Sequence, residues 1–334
     1  MEIKPKPMFY HKSTCLVGAC FFIAGMAFAQ APAKAYVARF KDDKACAISY
    51  TFDDGLKEHY TWVSPLFNQL GFKGSFVING SKINKDAQSV TDTTRMTWPE
   101  LEEMAKAGHE VSNHGWAHKN HGRFSPEEIA EDIRMNDSAI VAHTGIMPRT
   151  FAYPNNTKTT EGMQLASANR VDTRTFQRSI GGKATDENLA AWVQQLIKDH
   201  DWGVGMTHGI HYGYDLFADP AIFRRHLEAV KSMEQNIWVG TFLEVAAYSK
   251  ARDSIKLTVT ESKRSLVIQP QLALDSSLFT EPLTMVLPGT AKKPVKQITQ
   301  NGKPLQITVL ADKTLFDFDP FGGAITIVYE RKIG

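Results

Sequence analysis

The sequence predicts an α/β domain built on a parallel sheet, followed by a smaller all-β module. Three observations carry that prediction. From about Ala45 to Tyr248, short apolar runs alternate with helix-like segments, the order that brings strands side by side in a parallel sheet, open or closed. After Lys250 the apolar residues switch to a period of two, and no helix is evident from about Ser254 to Gly334. The 334 residues are 43% hydrophobic and 22% charged, ordinary globular composition with length for two domains.

Residues 1–29 read as a leader. Lys4, Lys6, His11 and Lys12 form a basic start, Cys15 to Ala27 an apolar core too short to span a bilayer comfortably, and Ala27-Phe28-Ala29 a small-x-small cleavage site. A signal peptide and export to the periplasm or medium are therefore expected, with no membrane span in the mature chain. Val17-Gly18-Ala19-Cys20 offers a lipoprotein alternative, but most of the apolar run follows Cys20, the wrong side for it. Of 38 Lys and Arg and 36 Asp and Glu, three lysines and Glu2 lie in the leader, leaving 35 of each sign. A net charge near zero argues against nucleic acid or an anionic membrane as the main partner. Cleavage leaves Cys46 alone, so no intramolecular disulfide is expected; buried in an apolar strand, it reads as a small hydrophobe.

"CAISYTF" reads as a buried strand, Pro65 to Leu70 as a helix closing at Gly71, and "KGSFVING" as the next strand. "TWPELEEMAKAG" has Thr97 as N-cap and Pro99 in the first turn, and "EVSNH" follows as a strand; Ser125, Pro126 and Gly145 repeat that grammar around "SPEEIAEDIRMNDSAIVAHTG". "TFAYP", "WGVGMTH" and "IWVGTF" are further strands, with the helix "PAIFRRHLEAVKSM" between the last two. The linker "SKARD" leads to a β-sandwich of roughly 80 residues, in which "QNGK", residues 300–303, is a hairpin turn.

Chemistry gathers at the carboxyl ends of parallel strands. Asp53 and Asp54 close the first strand in "TFDDG", and "NHGWAHKNH" follows another with His114, His118 and His121. Taken alone, Asp-Gly is a turn signal. A spacing of four would put His114 and His118 on one side of a helical turn, where one aspartate completes a two-His, one-carboxylate metal site. The second carboxylate is then free to act as a base. His208 and His211 stand at the strand end "GMTHGIHYG", where one could protonate a leaving group. Backbone after Pro154 forms a further strand end.

"TFDDG" at 51–55, "HGWAH" at 114–118, "FAYPNN" at 151–156 and "MTHG" at 206–209 together resemble the motifs of the polysaccharide deacetylases, the NodB-homology group or carbohydrate esterase family 4. The resemblance covers about residues 43–249, leaving 254–334 as the C-terminal β-domain. It implies a distorted (β/α) barrel with fewer than eight strands and one divalent metal ion, usually zinc, held by Asp54, His114 and His118. It implies Asp53 as general base, His208 as general acid and the Asn155 backbone N–H at the oxyanion, with Tyr153 beside the substrate. Two departures stand out. Ala152 replaces the arginine often found two residues before the motif proline, leaving Arg149 and Arg174 as alternative substitutes, and Asn155 replaces the usual aromatic. The fourth motif is not evident. Trp116, between two ligands, is expected to line the cleft, while the other tryptophans belong to the core. His121 is expected to be solvent-facing or to back the ligands; His211 is either a substrate contact or a loop residue. The implied activity is removal of acetyl groups from an acetylated glycan, most readily N-acetyl groups of N-acetylglucosamine units. An O-acetyl esterase and a non-catalytic carbohydrate-binding protein are the alternatives.

Overall fold

The computed structural model describes residues 35–330, so the leader and its Cys20 alternative lie outside the described residues. The described residues all fall in one compact unit. The chain opens with β1 (Tyr36–Val37), β2 (Cys46–Asp53), α1 (Ser64–Leu70), β3 (Ser75–Ile78), α2 (Trp98–Lys106), β4 (Glu110–Asn113), α3 (Pro126–Thr144), β5 (Thr150–Ala152), α4 (Thr160–Ser167) and β6 (Asp172–Arg174). It continues with β7 (Arg178–Ser179), α5 (Asp186–Asp199), β8 (Trp202–Thr207), α6 (Pro220–Ser232), β9 (Ile237–Val239) and α7 (Phe242–Ser254). Helices start where their caps say they should: Thr97 with Glu100, Ser125 with Glu128 and Thr241 with Glu244 each form a capping box, tying off two backbone donors at a time.

Strands β2 to β9 make one parallel sheet in the order β6-β5-β4-β3-β2-β8-β7. The beginning of β2 also pairs with β9, on the edge that β3 takes at its end. All eight residues of β2 are buried, as a strand covered on both faces requires. The outermost strands β6 and β7 are three residues apart in sequence, and Arg174 of β6 reaches Thr51 and Asp53 of β2. The sheet therefore curls into an incomplete barrel, with its carboxyl ends gathered on one rim.

Beyond α7 the described residues are all strand and turn. The strands are β10 (Lys256–Glu261), β11 (Ser265–Gln271), β12 (Leu283–Pro288), β13 (Val295–Gln300), β14 (Lys303–Pro304), β15 (Thr308–Val309), β16 (Lys313–Phe318) and β17 (Ile325–Tyr329). They form two antiparallel sheets, β10-β11-β17-β13-β14 and β1-β12-β16-β15. The "QNGK" hairpin is present, with Asn301 and Gly302 both at positive φ as a two-residue turn demands. Two expectations change. "SKARD" is no linker but the end of α7, whose buried Ala246, Ala247 and Ala251 share a core with Leu266, Ile268, Met285 and Phe316 of the sheets. The second antiparallel sheet also takes β1 from ahead of the barrel, so the β-structure is not one contiguous piece of sequence.

Several histidines are built into the interior. His109 meets Ser64 and Gly74 through its two ring nitrogens, His226 meets the Tyr50 hydroxyl at 2.8 Å, and His59 donates to the His208 carbonyl at 2.6 Å. Burial pulls all three pKa values down to about 4. Each is thus neutral when folded at a pH where the unfolded chain, near pKa 6.5, already takes up a proton. Their contribution to stability is complete above about pH 6.5 and is lost as pH falls from there toward 4. Calorimetric melting at pH 7.5 and pH 5 is expected to show a Tm drop of roughly 10 °C. Equal melting temperatures at the two values would contradict this.

Candidate metal and catalytic site

The rim at the end of β2 turns sharply at Asp54, which holds a left-handed backbone (φ 74°) while its N–H still donates to Val77 O at 3.0 Å. A non-glycine residue in that region is strained, and such strain gathers where side chains must be aimed. His114 follows β4 and is almost fully buried; its Nδ1–H donates to Ala152 O at 2.8 Å, which leaves the Nε2 lone pair free. His118 completes the set, but not through a helical turn as the spacing of four suggested. Residues 114–119 are irregular, and His118 is itself left-handed (φ 55°). Asp132 on α3 shapes this loop by accepting from the Ala117 N–H at 2.7 Å, while its backbone carbonyl takes the Trp116 N–H. Gly115 is required there: it sits at φ 75°, and a Cβ would come within 2.2 Å of the Asp132 carboxylate.

The outcome is a cluster of three ligand atoms, one each from Asp54, His114 and His118, all within 4.8 Å of one another. His114 Nε2 lies 3.8 Å and His118 Nε2 3.9 Å from Asp54 Oδ1. Asp54 Oδ1 is buried without a hydrogen-bond partner. A buried carboxylate oxygen facing two imidazoles and hydrogen-bonded to nothing fits a divalent cation between them. Burial also lowers the His114 pKa to about 4 against the pull of Asp53 and Asp54, so the ring is neutral and fit to ligate.

Asp53 is held quite differently. Arg174 grips both its oxygens, at 2.7 and 2.5 Å, and donates to Thr51 Oγ1 at 2.7 Å; both side chains are buried. Burial alone would raise the Asp53 pKa, but the charge and hydrogen bonds of Arg174, aided by His114 and His208, hold it at about 2. The arginine absent at Ala152 thus has its counterpart on β6. Arg149 does not compete: it turns to the C-terminal sheets, donating to Leu278 O, Thr280 and Glu281.

A cleft of about 1080 Å³ opens above these groups, lined among others by His208, Tyr153 and Asn155. Tyr153 is buried and donates to Thr173 Oγ1 at 2.9 Å; Asn155 is left-handed (φ 55°). Two expected members lie elsewhere. The Trp116 ring is turned onto Gly80 and packs against the barrel core, because the loop carrying it folds back under Asp132. His211 points to Glu58 at 2.9 Å and stands edge-on to Trp62. His121 is buried against Phe151 and Tyr153 rather than facing solvent. Sequence reading passed over Asp132, Glu58 and His59, whose only signal is a polar residue on a packed face.

Glu58 is a fastener for the strand-end loop. Its buried carboxylate accepts from the backbone N–H groups of Ile210 (2.6 Å) and His211 (2.9 Å) as well as the His211 ring. Removing it strands two backbone donors. Glu58→Ala is expected to cost about 2–3 kcal/mol in urea unfolding, with metal content unchanged. A loss below about 0.5 kcal/mol, the size of an ordinary surface change, would refute the fastening role.

Residues 41–173 match the family model described as polysaccharide deacetylase. The chain contains a polysaccharide deacetylase domain. A gellan lyase from a Bacillus species is 25% identical over 291 residues, which is 75% of this chain and 11% of the relative. A peptidoglycan-N-acetylglucosamine deacetylase from Listeria monocytogenes is 28% identical over 169 residues, 49% of this chain and 32% of the relative. The chain therefore spans about a tenth and a third of the length of these curated relatives. A candidate polysaccharide deacetylase from Mycobacterium smegmatis aligns at TM-score 0.52 and 14% identity, over 68% of this chain and 98% of that one. That likeness shows a shared fold, the incomplete (β/α) barrel of the deacetylase domain. No helix among the described residues is long and apolar enough to cross a membrane.

Proposed function

We propose that the deacetylase domain is a metal-dependent hydrolase that removes N-acetyl groups from a glycan containing N-acetylglucosamine. The observation that carries this reading is the pairing of two adjacent carboxylates in opposite states: Asp54 unpartnered between two imidazoles, Asp53 clamped and ionised by Arg174. Asp54, His114 and His118 would hold the ion, with zinc suited to that donor set. When bound, the ion polarises the acetyl carbonyl and acidifies a water beside it, which lets a carboxylate as weakly basic as Asp53 take a proton. Asp53 receives the proton of the attacking water; Arg174 keeps it ionised and fixes its direction. His208, on the same cleft, protonates the departing nitrogen. Tyr153 and Asn155 flank the acetyl group, and the Asn155 N–H would face its oxygen as charge develops there. The non-catalytic reading loses its main support once Arg174 stands on Asp53. Export accompanies the proposal and rests on the leader pattern of residues 1–29.

Acetate release from chitotetraose is the test. The purified protein should contain about one equivalent of divalent metal, release acetate, and stop when a chelator strips the ion. Activity that survives complete metal removal would overturn the proposal, as would a metal-loaded protein that releases no acetate from any acetylated glycan.

A further inference from the structure

The cleft carries two cations that the reaction does not use. Lys158 and Lys183 both line it and both are exposed. The Lys158 ammonium reaches Thr175 O at 3.5 Å and lies 5.9 Å from the centre of the Tyr153 ring, and no ion pair of either lysine is found among the described residues. Of the carboxylates facing the same space, only Asp215 carries a charge that neither an arginine nor the ligand set answers, so the two lysines outnumber it. Asp53 is neutralised by Arg174, Asp54 belongs to the ligand set, and Asp215 accepts from the Gly182 N–H at 2.9 Å and from the Ser179 hydroxyl. Two aromatic side chains with broad apolar faces line the same cleft in solvent. Phe176 is 48% exposed and braced edge-on by Trp202, and Tyr214 is 76% exposed and stands edge-on to His208. Rings left this exposed beside a reactive centre suit the apolar faces of sugar units. The cleft volume also reaches the upper end for drug-sized ligands, roughly 300–1,000 Å³, so it has room for more than one sugar.

We infer that the substrate is an acidic glycan, in which the acetylated sugar is flanked by units bearing carboxylates that pair with Lys158 and Lys183. The inference rests on the deacetylase reading and adds the charge class of the chain it acts on. Selectivity then comes from two solvent-facing charge pairs, each modest and screened by salt. The preference for an acidic over a neutral chain is accordingly moderate and disappears at high ionic strength.

The probe is a galacturonate tetramer, compared by calorimetric titration with the same tetramer after reduction of its carboxyl groups to alcohols. This keeps linkage and length constant. The acidic tetramer is expected to bind about tenfold more tightly at low ionic strength and about equally at 0.5 M salt. In Lys158→Gln/Lys183→Gln the preference should vanish. Equal affinities in the unaltered protein, no binding of either tetramer, or a preference that persists in the double variant would each overturn the inference. Chelator-sensitive acetate release from chitotetraose reports the deacetylase reading separately. If that release is seen while the tetramers bind equally, only the acidic-glycan inference falls.

Discussion

Asp53→Asn is expected to keep the metal and lose about 10²–10⁴-fold in turnover on chitotetraose, whereas Asp54→Asn loses the metal itself. The two side chains are adjacent and chemically identical, so only their surroundings can separate them. Asp54 offers an unpartnered oxygen to the imidazole pair, and an amide there supplies neither the charge nor the second lone-pair donor of a carboxylate. Asp53 faces Arg174 instead. Neutralising it removes the proton acceptor and leaves a guanidinium buried without a counter-charge, a change that typically costs about 3–5 kcal/mol. Asp53→Asn should therefore melt well below the parent, and Asp54→Asn, compared without metal, should not. Metal analysis and melting in chelator place the two variants in opposite corners: loaded but unstable, empty but stable. Equal metal content in both would end the division of labour. Arg174→Gln supplies the complementary pH test. With the guanidinium gone, burial pushes the Asp53 pKa upward, so its ionised form is lost at a higher pH than in the parent. The acid limb of the activity profile should move to higher pH; an unmoved limb would mean that Arg174 does not set the charge state of Asp53.

How far the sequence could reach follows from what each feature depends on. The strand ends of the barrel were legible because a buried parallel strand is a continuous apolar run, and a polar cluster after it marks a rim. That logic located Asp53, Asp54, His114, His118 and His208. The choice between Arg149 and Arg174 was not legible, because it depends on the sheet curling until β6 meets β2, a contact across 121 positions. Nor was the conformation of the ligand loop. A spacing of four is the same whether residues 114–118 form a helix or an irregular turn, and the deciding partner, Asp132, arrives from α3. "SKARD" looked like a linker because charged residues cluster there, yet Ala251 within it packs into the core on one side of α7. β13 and β16 leave little trace in the sequence, because "VKQITQ" and "KTLFDF" alternate too briefly to stand out from turns.

His208→Ala is expected to cut amide hydrolysis by about 10²–10⁴-fold while the metal stays bound. The tetrahedral intermediate of an amide expels nitrogen only after that nitrogen is protonated, whereas an aryl acetate expels a far better leaving group. The same variant should therefore lose much less on an aryl acetate. His208 is placed for this role: it follows β8 at the rim, lines the cleft, and has its carbonyl fixed by the buried His59 ring. Its Nδ1 is buried without a hydrogen-bond partner. His211 was the rival by sequence position, but its ring is tied to Glu58 outside the cleft. His211→Ala should thus lower stability slightly and leave the ratio of amide to ester activity unchanged. Measuring acetate release from chitotetraose and from an aryl acetate in both variants separates the roles. A large amide-specific loss in His211→Ala would mean the loop rearranges on binding substrate and the acid is the other histidine. Equal losses on the two substrates in His208→Ala would show that His208 does something other than protonate a leaving group. A parent that hydrolyses O-acetyl glycans, and with them tolerates loss of His208, would move the substrate from amide to ester on the same metal and carboxylates.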